Sequence, residues 1–345
     1  MPVAYAVARL RAGAPENRPL VQELQQHLRK LGYFAAALDG RFGDATDRAV
    51  RGLQHDLMHN DGSSRGSDGR ASVRLIDFNR GRVGVVDGIV DRGLAACIGD
   101  MLDDPAFCQV PESLSAAEDN RRIRAEVVAL RGLAVPVPFL MAIFTQESGR
   151  QHYREPTSAN PDAHVVVGLD RNAGEPHVIS SRGYGIGQYT LFHHPPRAEE
   201  MSGFIVDPSG NVKRAARELQ DKFTGFVVGP SSGTRAEDRI AEVGPRPLRL
   251  CRYGASDPRY LRDCGHCARS AGTVDIRAGD PVHRGASLSY QPTAYYAEAG
   301  HAGVPLRREI PCDWPYAVRR YNGSGVDSYH YQAIVLRNLL DGGIA

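Results

Sequence analysis

Nowhere in the 345 residues is there a run of about 20 apolar side chains, so the sequence offers no transmembrane helix. Nor is there a large excess of charge of either sign. A formal net charge of +2 removes any strong electrostatic pull toward nucleic acid, although a mildly basic balance suits an anionic polymer. The opening stretch "MPVAYAVARLRAGAPENRPL" lacks the basic start of a secretory signal, because its first positive charge, Arg9, follows the short apolar segment instead of preceding it. A cytosolic protein, or one delivered by another route, is what this leaves. With 42% hydrophobic and 24% charged residues the composition is that of an ordinary globular protein, and the length suggests about two domains.

Cysteines are few, and their number is even: Cys97, Cys108, Cys251, Cys264, Cys267 and Cys312. An even count favours disulfides in an oxidising compartment. The "CGHC" stretch from Cys264 to Cys267 also has the spacing of a redox pair or of half a zinc site, with Cys251 and His266 nearby. No thioredoxin-like βαβ pattern surrounds it, which weakens the redox reading. Disulfides among Cys251, Cys264, Cys267 and Cys312 are the favoured expectation.

The first part of the chain runs to about residue 110. In "RPLVQELQQHLRKLGY", Leu20, Leu24, Leu28 and Leu31 recur at helical spacing and Gly32 is a stop. Asp39-Gly40 reads as a turn, and Asp44 as the cap of a second helix with Ala49, Val50, Leu53 and Leu57 facing inward. After the Gly/Ser-rich "HNDGSSRGSDGR", Asp87-Gly88 and the phrase "VVDGIVDRGLAACIGDML" repeat the theme, which suggests a small helical domain with an internal pseudo-repeat. The "LGY", "LDGRFGDAT" and "AVRGLQ" phrases within residues 18–105 resemble the peptidoglycan-binding domain found at the ends of many cell-wall hydrolases.

The second part, 111–345, contains the residue with the most chemistry in it. Pro138 suits the first turn of a helix, and Phe139, Leu140, Ile143 and Phe144 follow it. Glu147 comes four residues after Ile143 and three after Phe144, so its carboxylate falls on the apolar stripe just before the stop at Gly149. Desolvation and the negative end of the helix dipole both disfavour the charged form, which predicts a raised pKa and a carboxylic acid able to protonate a leaving-group oxygen. The competing reading is a structural acid paired with Arg150 or Arg154.

Two further stretches bear on that choice. In "SSRGYGIGQYTLF" the glycines at 183, 185 and 187 alternate ahead of Gln188, with no lysine and no strand-to-helix frame for a phosphate loop. Such glycines let a backbone approach a ligand closely, and Gln188 can bond an amide or a sugar hydroxyl; a ligand-free β-turn is the alternative. "DPSGNVKRAARELQDKF" reads as a helix starting near Asn211, with Val212, Ala216, Leu219 and Phe223 inward. A last helix pair breaks at Tyr321-Asn322-Gly323 and resumes after Asp327, and that break reads either as a helix cap or as part of a site.

Taken in order, Glu147-Ser148, Gly185-Ile186-Gly187-Gln188, Asp207-Pro208 with Asn211-Val212, and Tyr321-Asn322-Gly323 resemble the soluble lytic transglycosylases, relatives of goose-type lysozymes, over roughly residues 115–340. Gly187 stands where that family carries Met, and the Cys-containing segment between 244 and 315 has no counterpart in it. The resemblance implies a mainly α protein: a small helical peptidoglycan-binding domain over 1–110, then a lysozyme-like α(+β) domain over 111–345 with a small sheet or hairpin. It implies cleavage of the β-1,4 bond between N-acetylmuramic acid and N-acetylglucosamine. Glu147 would be acid and then base, and Tyr321 would stabilise charge or orient the acetamido group. Ser148, Gly185, Ile186, Gln188 and Asn322 would contact sugar. No metal and no cofactor is needed. A second acid among Asp162, Asp170 and Glu175 would make the enzyme a hydrolase instead. The expected partner is peptidoglycan in the periplasm or cell wall, with no nucleic acid and no membrane span. Without a secretory signal, the route is phage lysis through a holin or a dedicated secretion system, the latter implying an immunity protein. A non-catalytic wall-binding protein is the remaining alternative.

Overall fold

Asn17, Pro19 and Gly32 set the limits of the first helix. The computed structural model describes residues 3–7, 10–13, 17–64, 69–130, 134–158, 160–228, 249–276, 301–307, 309–323 and 327–341. Helix α1 is Arg18–Lys30, with Pro at its start and the Asn17 side chain accepting from the Leu20 amide. Gly32 follows at φ +78°, the left-handed position that ends many helices. Leu24, Leu28 and Leu31 are fully buried, as the spacing predicts. Helix α2 is Asp44–His59. Its cap is Gly43 rather than Asp44, which is the first helical residue and makes no capping bond. The Asp44 carboxylate instead sits in the first turn, where it favours the positive end of the helix dipole. Short α3 (Ile76–Asn79) and α4 (Arg92–Asp103) follow, and the Asp91 side chain caps α4 through the Leu94 amide at 2.9 Å.

The pseudo-repeat has a physical basis in two buried glutamines. Gln25, on α1, donates to Asp39 Oδ1 at 2.9 Å and accepts the Gly40 amide at 2.9 Å. Gln54, on α2, donates to Asp87 Oδ1 at 2.8 Å and accepts the Gly88 amide at 2.9 Å. Each Asp-Gly turn is thus clamped by one amide of a neighbouring helix. Both glycines take positive φ, +69° at Gly40 and +73° at Gly88.

Beyond this module come α5 (Ala116–Ala129) and α6 (Val137–Ser148). Strands β1 (Val167–Arg171), β2 (Ile179–Tyr184) and β3 (Tyr189–Leu191) form an antiparallel sheet in that order. The remaining helices are α7 (Ala198–Glu200), α8 (Pro208–Phe223), α9 (Cys264–Ser270), α10 (Trp314–Tyr321) and α11 (Asp327–Asp341). A two-stranded antiparallel ribbon pairs β4 (Thr273–Ile276) with β5 (His301–Pro305). The protein is therefore mainly α, with small sheets only. Helix α8 begins at Pro208, ahead of the expected start near Asn211, because proline suits a first helical position. No helix among the described residues is long and apolar enough to cross a membrane.

Two compact units are interleaved in the sequence. The first comprises Met1–Ile123 and Gln151–Asn211, the second Arg124–Arg150 and Val212–Ala345. In the first, one apolar cluster fills the space among α1, α2 and α4, and a second, around Tyr184, Phe204 and Ile205, underlies the sheet. In the second unit α11 lies along α6 and α10, and the Phe223 and Trp314 rings meet at 4.1 Å. None of the six cysteines is bonded to another in this structure, which holds all six as thiols, so the disulfides expected from their even number are not seen in it.

Gln25→Ala and Gln54→Ala each strand a buried Asp-Gly turn without its amide partner. Each substitution is expected to lower stability by about 1–3 kcal/mol in denaturant titration. A loss below about 0.5 kcal/mol at both sites would remove the clamps from this account.

Candidate active site

Helix α6 is buried over its whole first two turns, Val137 to Phe144, and becomes half-exposed only at its last turn. Gly149 then ends it at φ +62°. Glu147 therefore sits half-buried at the point where an oily helix reaches the surface of its unit. The phenol of Tyr331, in the second turn of α11, donates to Glu147 Oε1. Tyr331 is 6% exposed. Its ring lies nearly parallel to that of Tyr321, with centroids 6.4 Å apart and planes 12° apart.

Both phenols are held protonated far beyond their ordinary range. Burial is the main cause in each. The Glu147 charge adds to it, as does Glu218 for Tyr321, while for Tyr331 the hydrogen bond to Glu147 contributes further. A permanently protonated phenol is a dependable donor, and a donor aimed at a carboxylate oxygen supports its ionised form. Three groups from three helices, α6, α10 and α11, thus form one acid–phenol cluster. Tyr331 escaped the sequence reading. It lies four residues after Asp327 on the inward face of a chain-end helix, where an aromatic is an ordinary core residue.

The other residues that the sequence ties to Glu147 have local duties. The Ser148 hydroxyl donates back to the Phe144 carbonyl at 3.1 Å. Arg150 gives its Nε to Thr145 Oγ1 at 2.7 Å, and Arg154, in the first unit, donates to the Ala35 carbonyl at 3.1 Å. Asn322 caps α10 and is exposed, with its amide directed at the Arg319 and Arg320 carbonyls.

In the first unit, Gly185–Gln188 is the tight turn between β2 and β3. Its glycines make room for the protein's own side chains. A Cβ on Gly185 would meet the His152 ring at 2.5 Å, and one on Gly183 would meet Gln188 Oε1 at 2.9 Å. Gln188 itself takes a left-handed conformation, φ +48°, and folds its amide back onto the Gly185 carbonyl at 2.7 Å. Ile186 is fully buried. Asn211, also fully buried, accepts the Gly187 amide at 2.8 Å and donates to the Tyr184 carbonyl at 2.8 Å. His152 must be the Nε2–H tautomer, since that atom donates to the Ile205 carbonyl at 2.8 Å, and Nδ1 faces the Ile186 amide. Buried Asn120 holds the His152 and Tyr153 amides at 2.9 and 3.0 Å. The turn is thus rigid from every side. His152 and Asn120 were not singled out from the sequence, because a buried polar residue that satisfies backbone groups has no periodic signature.

Two of the three candidate second acids are also engaged. Asp162 is buried in an ion pair with Arg29 and accepts the His164 amide at 2.9 Å. Asp170 accepts the Ser181 hydroxyl at 2.6 Å. Glu175 lies exposed in the loop between β1 and β2. Among the described residues no group of three or more His, Cys, Asp or Glu is arranged to hold a metal ion.

Residues 17–57 match the family model of a peptidoglycan binding domain, so the chain carries a peptidoglycan-binding domain near its N-terminus. That span covers α1, the first clamped Asp-Gly turn and nearly all of α2. No curated protein and no solved structure matches the chain.

The buried neutral histidines make the protein sensitive to acid. Burial lowers the His152 pKa to about 4 and lowers those of His27 and His194 as well. The unfolded chain binds these protons near pH 6.5, the folded one only at lower pH, so stability is full above pH 6.5 and falls as the pH drops toward 4. For His152 alone the loss is about 3 kcal/mol across that window. Denaturant midpoints measured between pH 7 and pH 4 should show it, and a flat profile would contradict the neutral tautomer.

Proposed function

We propose that the protein binds peptidoglycan through its N-terminal domain and cleaves the glycan strand with Glu147, leaving 1,6-anhydro-muramyl ends. The observation that carries this reading is the Tyr331 phenol on Glu147, with Tyr321 stacked behind it. In the first half of the reaction Glu147 protonates the oxygen between N-acetylmuramic acid and N-acetylglucosamine. The substrate's 2-acetamido group supports the developing cation at C1, and Tyr321 stabilises or orients it. In the second half the Glu147 carboxylate takes the proton of the muramyl 6-hydroxyl, whose oxygen closes onto C1. The Tyr331 hydrogen bond favours the ionised acid that this half requires, and it opposes the desolvation and helix-end effects at the end of α6 that favour the protonated acid of the first half. One carboxylate suffices for the cycle. Supporting a lyase over a hydrolase, Asp162 is committed to Arg29 and Asp170 to Ser181, which leaves the exposed Glu175 alone of the three candidates to hold the water a hydrolase would need. The site of action is the cell wall.

The test is lysis of purified peptidoglycan. Glu147→Gln should abolish release of soluble glycan, a drop of at least about 1,000-fold, while co-sedimentation with the wall persists. Tyr331→Phe should keep the fold and lower the rate by about 10- to 100-fold, and it should narrow the pH range on the basic half of the cycle. Release by Glu147→Gln at the wild-type rate would remove Glu147 from the chemistry. A wild-type protein that only binds would make the chain a wall-binding module with a non-catalytic second unit.

A further inference from the structure

Four of the six cysteines, distant in sequence, converge in the second unit. Cys251, Cys264, Cys267 and Cys312 all line one cavity of about 10 Å³, room for a single water at most. The backbone explains the meeting. Arg249 and Asp313 exchange bonds: the Arg249 amide donates to Asp313 Oδ2 at 2.8 Å, and the Asp313 amide to the Arg249 carbonyl at 2.9 Å. That exchange brings the segment that carries Cys251 beside the one that carries Cys312, and both line the cavity. The Leu261 amide reaches Cys251 Sγ at 3.4 Å, which folds the intervening loop back on itself. Cys264 and Cys267 are one helical turn apart on α9 and so face the same way.

The surroundings sort the four into two pairs. Cys251 and Cys267 also line a second, open cavity of about 540 Å³, together with Arg249, Arg252 and Glu309. Cys264 and Cys312 line the small inner one and not the open one. A bond between Cys264 and Cys267 would close one helical turn and tie nothing else. Bonds outward from α9 would fasten it to the 251 loop on one side and to the start of α10 on the other. No set of three or more potential ligands among the described residues is arranged around a metal.

We propose that these four thiols are a double crosslinking site, with an outer disulfide joining Cys251 to Cys267 and an inner one joining Cys264 to Cys312, formed in an oxidising compartment. The oxidant is a low-molecular-weight disulfide of the glutathione type. An outer thiolate attacks one of its sulfurs and expels one thiol; the partner cysteine then displaces the second. That step oxidises two protein thiols and reduces one external disulfide to two thiols. An inner thiolate then exchanges with the outer disulfide to form the 264–312 bond, and a second external disulfide reoxidises the outer pair, so the four protein thiols consume two external disulfides in all. Arg249 and Arg252 beside the outer pair attract the carboxylates of such an oxidant, and Arg252 opposes the rise that burial imposes on the Cys267 thiol. Burial pushes the Cys312 thiol up to about 12 and raises that of Cys264, so a neutral bond suits that dry interior better than a charged sulfur. This inference does not depend on the catalytic reading of Glu147.

The full chain, freed of reductant and equilibrated with an oxidised/reduced glutathione buffer, is denatured, alkylated and weighed. Of the six cysteines only two, Cys97 and Cys108, should then be alkylated, and peptide mapping should return the 251–267 and 264–312 links. The oxidised protein should melt roughly 5 °C or more above the reduced one. Cys312→Ser should leave three alkylatable cysteines and keep the outer link. Six alkylated cysteines after oxidation, a link inside Cys264–Cys267 or to Cys97 or Cys108, or one equivalent of zinc released on alkylation would each overturn the proposal.

Discussion

The proton that Tyr331 holds against Glu147 is the contact on which the chemical reading depends. It exists because α11 lies along α6, and because α6 is oily enough to be buried up to the turn that carries the acid. Burial keeps the phenol protonated far beyond its ordinary range, so its role as donor does not change over physiological pH. Tyr321 stacks on it from the end of α10. An acid placed in water would be ionised and unremarkable. One held by a phenol at the end of an apolar helix has a defined orientation for moving a proton in both directions.

The N-terminal module is built by a different logic, in which buried side chains hold its turns. Two glutamines on successive helices clamp two Asp-Gly turns with the same pair of bonds. The same economy recurs beneath the β2–β3 turn, where His152, Asn120 and Asn211 satisfy backbone groups from below. In each case a buried polar side chain replaces the water that a surface loop would have bonded. The cost is acid sensitivity, since a neutral histidine in such a place cannot accept a proton without losing its site.

Much of this was legible in the sequence, and the reason differs by element. Helices α1, α2, α6, α8 and α10 were marked by apolar spacing together with Pro, Asp and Gly punctuation, which act locally. The Asp-Gly repeat was visible, but its cause was not: the partners Gln25 and Gln54 lie 14 and 33 residues away and look like ordinary polar helix positions. Glu147 stood out because a carboxylate on an apolar stripe is an inconsistency. Tyr331 did not, because an aromatic on an apolar face is the expected thing there. The alternating glycines fit either the approach of a ligand or a ligand-free β-turn, and in the folded chain a Cβ on Gly183 or Gly185 would meet Gln188 or His152. Only the folded chain shows which side chain fills a gap.

The products formed from purified sacculi test the central claim most directly. Mass spectrometry of the released muropeptides should find 1,6-anhydro-muramyl ends with the wild-type protein and none with Glu147→Gln. Reducing muramyl ends would contradict the lyase account and point to a hydrolase, and no released glycan at all would contradict catalysis by Glu147.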